Sequence, residues 1–412
     1  MERVVITGMG IVSPLGNDVD TFWQGLKEGR SGISQIERFD VTDFSTKIAG
    51  QVRGFDGEAI FGRKEARKMD LFCQYALFAA EQAVQDADLN PELIDRERFG
   101  VYVGSGIGGI ETLAENVKVL ENRGPNRVSP SLVPMMISNM AAAQISIRFG
   151  ALGETLSPVT ACSIGNSSIG EAFRLIRSGE ADVMIAGGTE AAVHPLALAS
   201  FGNATALSKR NEAPEQASRP FDADRDGFVM GEGAGIVVLE SLSHALRRGA
   251  RIHGELIGYG ASSDAYHVVA SHPEGAGAYL AMRRALVSAG ITPEQVDVIS
   301  AHATSTPVGD LGETKGIKKA FGKYAHRIPI TANKSMTGHM FGAAGGAEAI
   351  ALVQTLKEGI IPPTINLMNP DPECDLDYVP NEARRAELKI GLSNSFGFGG
   401  HNAVIVVRKY EE

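Results

Sequence analysis

Ala83-Val-Gln-Asp-Ala87-Asp-Leu89-Asn-Pro91-Glu92-Leu-Ile-Asp95 is echoed 202 residues later by Ala285-Leu-Val-Ser-Ala289-Gly-Ile291-Thr-Pro293-Glu294-Gln-Val-Asp297. In each copy a helix pattern ends, Pro-Glu marks a turn, and an apolar run leads to a loop of small residues. A second echo sits upstream: Gly8-Met9-Gly10 after the first apolar run is matched by Gly258-Tyr259-Gly260, 250 residues on. The two offsets differ by 48, which predicts extra material in the first half, roughly Trp23 to Glu65. Two copies of so long a unit mean a duplication and exclude a solenoid. The expected halves are 1–250 and 251–412, meeting near Ala250 after a helix at Ser243–Arg248.

Around these echoes, short β-branched runs alternate with longer helical patterns. Strands are predicted at Arg3–Thr7, Phe99–Val103, Asp182–Ala186, Ile236–Leu239, Asp297–Ser300 and Ala403–Val407. Helices are predicted at Gln74–Ala87, Glu111–Arg123, Ile169–Ser178, Gly277–Ala289 and Ala347–Lys357. Apolar strands interleaved with helices imply a layered α/β fold with sheets covered on both faces. Of 412 residues, 43% are hydrophobic and 21% charged, an ordinary globular balance with enough length for a large core. The 48 glycines exceed the usual share of about 7% and cluster at predicted turns without a G-X-Y period, which excludes collagen.

The net charge of −10 argues against nucleic acid as a partner, which needs a basic footprint. Three widely spaced cysteines, Cys73, Cys162 and Cys374, form neither a disulfide framework nor a C-x-x-C metal motif, and they suit a reducing cytoplasm. The chain opens on a strand pattern with no signal segment before it, and no apolar run reaches about 18 residues, so neither export nor membrane insertion is expected.

Three segments carry candidate chemistry. In Pro158-Val-Thr160-Ala161-Cys162-Ser163-Ile164-Gly165 an apolar approach meets Cys162 just where a helix pattern starts. Unpaired N–H groups and the positive end of the helix dipole there are expected to stabilise the thiolate and lower its pKa from about 8.5. The same position also suits a small buried hydrophobe. Cys73, inside an apolar helix, and Cys374, in an acidic loop, fit the latter role better. Ser300-Ala301-His302-Ala303-Thr304-Ser305-Thr306 and Asn333-Lys334-Ser335-Met336-Thr337-Gly338-His339 each place a histidine at a strand end among small and hydroxyl residues. Two such histidines and a candidate nucleophile suggest one shared site. Near the C-terminus, Phe396-Gly397-Phe398-Gly399-Gly400-His401 is a Gly-rich turn whose N–H groups suit an oxyanion hole or a plain hairpin.

Gly104-Ser105-Gly106-Ile107-Gly108-Gly109 formally matches G-x-G-x-x-G. It follows a later strand, not the first, and lacks the downstream acid of a dinucleotide site, so a nucleotide role is rejected. No P-loop and no H-E-x-x-H stands in the chain, and no metal site is expected.

Taken together, these segments resemble the β-ketoacyl-[acyl-carrier-protein] synthases of the thiolase superfamily. Further matching stretches are Val5-Ile-Thr-Gly8-Met-Gly10-Ile-Val-Ser13-Pro14-Leu-Gly16, Arg219-Pro-Phe221-Asp222, Asp226-Gly227-Phe228-Val-Met-Gly231-Glu232-Gly233 and Asp264-Ala265-Tyr266-His267. The resemblance spans nearly the whole chain and fits the decarboxylating Cys-His-His type, since His339 stands where initiating synthases carry asparagine. It implies a five-layered α-β-α-β-α fold from two related halves, a homodimer, acyl carrier protein as partner, and no cofactor beyond the carrier's phosphopantetheine. It implies that Cys162 holds the acyl chain, that His302 and His339 stabilise the enolate of decarboxylated malonyl-carrier protein, and that Lys334 orders the field around them. Backbone N–H groups of Cys162 and Phe398 match the oxyanion hole, and Phe398 matches an acyl gate. Glu313 matches a buried structural carboxylate, and Thr304 and Thr306 match pantetheine contacts.

Ile107 is the residue type of the long-chain class. With Ala192, Leu198 and Phe201 it is expected to line an acyl tunnel. Arg63, Lys64, Arg67 and Lys68, helped by Arg127, form the expected docking patch for the acidic carrier, with Lys64, Arg67 and Lys68 on one helical face. Departures from the family pattern are Ala303 where glycine is frequent, Ile164 where a small residue is expected, Val269 for threonine, and Asn126 and Thr205 for basic residues. A polyketide-type ketosynthase and a non-catalytic chain-length partner are the alternatives; the latter lacks the cysteine that stands at 162.

Overall fold

The computed structural model describes residues 1–411, and its ten main strands pair into a single run built from two copies of one topology. The first half supplies β1 (Val4–Val12), β2 (Phe99–Gly104), β3 (Thr155–Leu156), β4 (Val183–Glu190) and β5 (Gly233–Ser241). The second supplies β6 (Gly254–Ser263), β7 (Val298–Ser300), β8 (Ile330–Thr331), β9 (Ile390–Gly397) and β10 (His401–Arg408). Their spatial order is β8-β7-β9-β10-β6-β1-β5-β4-β2-β3. Each half therefore runs third, second, fourth, fifth, first, with the same parallel and antiparallel pairings. A short antiparallel stretch from Val4 to Ile6 against Gly254 to Leu256 joins them.

Seven helices complete the layers. α1 (Leu71–Asp86) and α2 (Met140–Phe149) cover the outer face of the first half. α5 (Ala276–Ala289) and α6 (Pro307–Phe321) do the same for the second. Between the halves lie α3 (Ile164–Ser178) and α7 (Ala344–Glu358), which pack on strands of both and on each other. All but the last two residues of α7 are buried, as its run of Ala, Gly, Ile and Leu demands. The seventh, α4 (Pro195–Asn203), stands beside the site. The result is the thiolase-like α-β-α-β-α arrangement.

The two echoes prove to be one packing device. Gly8 and Gly10 of β1 lie against Ala83 and Ala79 of α1; Gly258 and Gly260 of β6 lie against Ala285 and Ala281 of α5. A methyl at these glycines would meet the helix carbonyl oxygens at 2.0, 1.9, 2.6 and 2.2 Å respectively. Only glycine permits so close an approach of strand and helix. The helix then ends on a left-handed residue in both copies, Asp88 and Gly290. Residues 13–70 separate β1 from α1, whereas only 264–275 separate β6 from α5.

Most predicted elements are observed with longer strands. β1 runs to Val12, beyond the expected Thr7, paired with β5 from Val4 to Val12 across a register shift between Ile6 and Gly8. The helix expected at Ser243–Arg248 is Leu242–Arg247.

Candidate active site

The pseudo-symmetry places two matching turns at the centre of the molecule. Ala161–Ser163 leads into α3, and Phe341–Ala343 leads into α7, both as one turn of 3-10 helix. Ala161 and Phe341 both adopt left-handed backbone, with φ of 51° and 48°. This conformation is costly for a residue with a side chain and marks a tight, over-determined bend. Cys162 is thus the structural counterpart of Gly342.

Cys162 opens onto a cavity of about 570 Å³ that His302, His339, Phe201, Phe398, Thr304 and Thr306 also line. His302 and His339 stand perpendicular with ring centroids 5.5 Å apart. The backbone N–H groups of His302 and Ala303 donate to the two oxygens of buried Glu313 at 2.9 and 2.7 Å, and the Asn394 amide donates to the same carboxylate at 3.0 Å. Glu313 therefore holds the His302 loop as a buried structural carboxylate. Ala303 sits at φ 28°, inside the left-handed region. The methyl is accommodated, at the cost of strain that glycine would avoid. His339 is fixed from the other side: its N–H donates to Val229 O at 2.7 Å and its carbonyl accepts from Gly231 N at 2.7 Å. The Phe228–Gly231 motif is thus a strap for this histidine. His339 does not directly follow a strand as expected; the one-turn helix Lys334–Thr337 intervenes after β8.

That turn buries Lys334 to 1% exposure, paired with Glu348 of α7. Both imidazoles are held well below the ordinary histidine range, chiefly by burial and then by the Lys334 cation. They are neutral near pH 7 and keep one N–H each to donate. Glu348 is pushed up to about 7 by burial, against the pull of Lys334.

The expectation for Cys162 itself is overturned. Burial, with the nearby Glu190 carboxylate adding to it, pushes the thiol up to about 12. Lys334 and the N–H groups of Phe398 and Cys162 oppose this but lose. Desolvation of an anion outweighs a helix terminus when the sulphur is nearly sealed, at 8% exposure. Near neutral pH the resting Cys162 side chain is a thiol. Cys73 is pushed up in the same way and lies in the core; Cys374 is buried too.

The Gly-rich decoy loop has a purpose of its own. Ser105 Oγ and the N–H groups of Gly106 and Ile107 donate to Glu190 at 2.7, 2.9 and 3.1 Å. Its donors are consumed by a protein carboxylate.

Of the expected tunnel residues, only Phe201 borders the open cavity. Ala192 and Leu198 are sealed in the apolar cluster that also contains Cys162, and Ile107 lies on the surface of the chain at 37% exposure. The walls are aromatic: Phe341 stacks on Phe201 at 5.4 Å, and Phe228 meets His339 edge-on at 5.6 Å. Sequence reasoning passed over Phe341, Glu348 and Glu190. A lone acid in the apolar pattern of α7 was the available signal for Glu348.

Arg63, Lys64, Arg67, Lys68 and Arg127 are all exposed. The helix there spans only Arg63–Ala66, so Arg67 and Lys68 lie past its end and no single helical face carries three charges. Arg63 and Arg67 approach Glu58 at 4.0 and 3.4 Å, and Lys68 pairs with Glu65 at 2.8 Å. The patch is partly neutralised from within.

The duplicated sheet and the buried central helices define a thiolase-like ketosynthase fold. Family profiles for the beta-ketoacyl synthase N-terminal and C-terminal domains match residues 1–245 and 253–368, and the chain belongs to the β-ketoacyl synthase family. It is 51% identical to 3-oxoacyl-[acyl-carrier-protein] synthase 2 of Synechocystis sp., and 52% identical to the protein of that name from Staphylococcus aureus strain COL. Each match covers 100% of this chain and 99% of the relative. Among solved structures, a beta-ketoacyl synthase from Burkholderia phymatum superposes with a TM-score of 0.93 at 36% identity, covering 100% of both chains. A type II polyketide ketosynthase solved in complex with its acyl-carrier protein superposes at 0.91 and 38% identity, covering 99% of this chain and 100% of that one. No helix among the described residues is long and apolar enough to cross a membrane.

Proposed function

We propose that this protein is an elongating 3-oxoacyl-[acyl-carrier-protein] synthase of the type 2 class. The observation that carries the reading is the convergence of Cys162, His302 and His339 on one cavity in a chain of this family. Cys162 attacks an acyl thioester on the carrier; a new thioester forms on Sγ, and the pantetheine sulphur leaves with the thiol's proton. Malonyl-carrier protein then binds past Thr304 and Thr306, whose hydroxyls lie 3.0 Å apart at the cavity wall. Loss of CO2 leaves an enolate whose oxygen takes hydrogen bonds from neutral His302 and His339. Its carbon attacks the Cys162 thioester, and the oxyanion meets the N–H groups of Cys162 and Phe398. Collapse releases the cysteine and a 3-oxoacyl chain two carbons longer. Fixed donors act most where charge develops in the transition state.

No dissociable cofactor enters this scheme. Relatives of full-length 51–52% identity favour fatty-acid elongation over the polyketide role of a structural neighbour at 38%. Homodimerisation is supported by the open edge of β3, where Leu152, Leu156 and Val159 are exposed. Three free cysteines suit a reducing cytoplasm. A panel of saturated and unsaturated acyl-carrier proteins of varied length, with malonyl-carrier protein, tests the reading. Condensation with fatty acyl chains is expected; turnover of polyketide intermediates alone would overturn it.

Two predictions arise here. Because both imidazoles are neutral throughout, malonyl-carrier decarboxylation should hold constant from pH 8 down to pH 6.5, the ordinary histidine value of about 6.5 leaving no mark. A steady-state profile with a limb centred there would contradict this. At the docking patch, Lys64 has no acidic partner among the described residues, unlike Arg67 and Lys68. Lys64→Glu should raise KM for carrier-borne substrates by about three- to tenfold with kcat little changed. Lys68→Glu should do less. Equal KM values for both variants and the parent would reject the patch.

A further inference from the structure

Glu190 ends β4 with its carboxylate fully buried and no lysine or arginine paired to it among the described residues. Four donors surround it: Ser105 Oγ, Gly106 N and Ile107 N as given above, and Gly342 N at 3.1 Å. Gly342 is the pseudo-symmetric mate of Cys162, so the N–H that Glu190 engages is the counterpart of the Cys162 N–H. One half of the duplication keeps this anion pocket open at the cysteine; the other half fills it with its own carboxylate. We propose that Glu190 is a positioning residue of the condensing site, whose carboxylate pins the turn carrying Phe341 and presents a fixed negative charge to Cys162.

Both consequences follow from placement. Gly342 adjoins Phe341, whose ring borders the cavity 4.8 Å from His339 and 5.4 Å from Phe201. The loop Ser105–Ile107 is tied to the same carboxylate, so the cavity wall and the loop move as one unit. Burial raises the titration of Glu190 above the ordinary glutamate value, and its four donors pull the other way, favouring the ionised form. Gly106, which donates to Glu190, also stands against Ala161 on the Cys162 turn. The charges that act on Cys162 are Glu190 and Lys334, beside the N–H groups of Phe398 and Cys162 and the neutral rings of His302 and His339 that share its cavity. Glu190 is the one acid among them. It opposes thiolate formation in the resting enzyme and guards the cysteine against stray electrophiles.

The test is Glu190→Gln, which keeps the shape, removes the charge, and turns an NH2 toward backbone N–H groups. Iodoacetamide alkylation of Cys162, followed by intact mass against pH, should be about threefold or more faster at pH 8, with the profile moved to lower pH. The spread of kcat/KM across acyl chain lengths should narrow as Phe341 loses its anchor. A purely structural role would lower all chain lengths alike and leave the alkylation profile in place; that result overturns the proposal. Should Glu190→Gln fail to fold, Ser105→Ala removes a single donor, and a smaller shift in the same direction is expected; an unmoved profile there also overturns it. The chain-length arm rests on the proposed condensing activity, whereas alkylation reports on Cys162 whether or not that activity is right.

Discussion

Cys162→Ala is expected to leave no acyl adduct on the protein after incubation with acyl-carrier protein, and to cut condensation by at least about a thousandfold. The side chain is the only thiol among the described residues that line the cavity, and the serine and threonine hydroxyls there are far weaker nucleophiles, so nothing inherits its role. The substitution removes one atom from a nearly sealed site and should cost about 1 kcal/mol or less of stability. It leaves the backbone N–H of residue 162, the Phe398 N–H and both histidines where they stand. Malonyl decarboxylation should therefore persist within about tenfold of the parent rate. Intact-protein mass spectrometry checks the first claim and CO2 release the second. The same acyl adduct on the variant would remove Cys162 from the mechanism. Loss of both activities together would show that the thiol is needed for the enolate chemistry as well.

Lys334→Met should be the most damaging change for the folded state. Lys334 and Glu348 are 1% and 3% exposed, and the second carboxylate oxygen of Glu348 has no partner. Removing the cation leaves an uncompensated buried charge, a loss of about 3–5 kcal/mol. The pH dependence follows from the direction of the Glu348 shift. Its folded value stands at about 7 even with Lys334 present, above its unfolded value, and it rises further without the cation. A group raised in the folded state contributes stability in acid, and that contribution is lost as pH rises through the folded value. The variant should thus lose more stability at pH 8 than at pH 6, read from urea midpoints. Adding Glu348→Gln should recover much of the loss at pH 8. An equal loss at both pH values, with no recovery in the double variant, would contradict this account. The same substitution removes the charge that helps keep His302 and His339 neutral. A folded double variant should show a decarboxylation profile that bends at higher pH than the parent's.

The pattern of what was legible has physical causes. A duplicated packing device leaves a trace in sequence because few residues satisfy it. A methyl at Gly8, Gly10, Gly258 or Gly260 would stand only 1.9–2.6 Å from an alanine carbonyl oxygen of the covering helix, so these glycines admit no substitute and stay readable. The chemistry-bearing residues were readable for the same reason: Cys162 and His302 stand beside small residues that let a thioester approach. The direction of the Cys162 titration was not readable. A helix terminus is a local feature, whereas desolvation is the sum of every group that covers the sulphur, and Glu190 arrives from a strand 28 residues away. The placement of Lys64, Arg67 and Lys68 on one helical face was overturned for a similar reason. Its helix stops after one turn, and Glu58 folds back onto Arg63 and Arg67.

The sequence by itself determined a duplicated α/β chain and the membership of Cys162, His302 and His339 in one site, since close packing and reactive side chains restrict residue identity position by position. Only the tertiary structure decided that the thiol rests protonated, that Lys334 answers to Glu348, that Ala192 and Leu198 are sealed while Phe341 forms the wall, and that the Gly-rich loop serves Glu190. Those are properties of burial and charge summed over distant segments, and no window of sequence contains them.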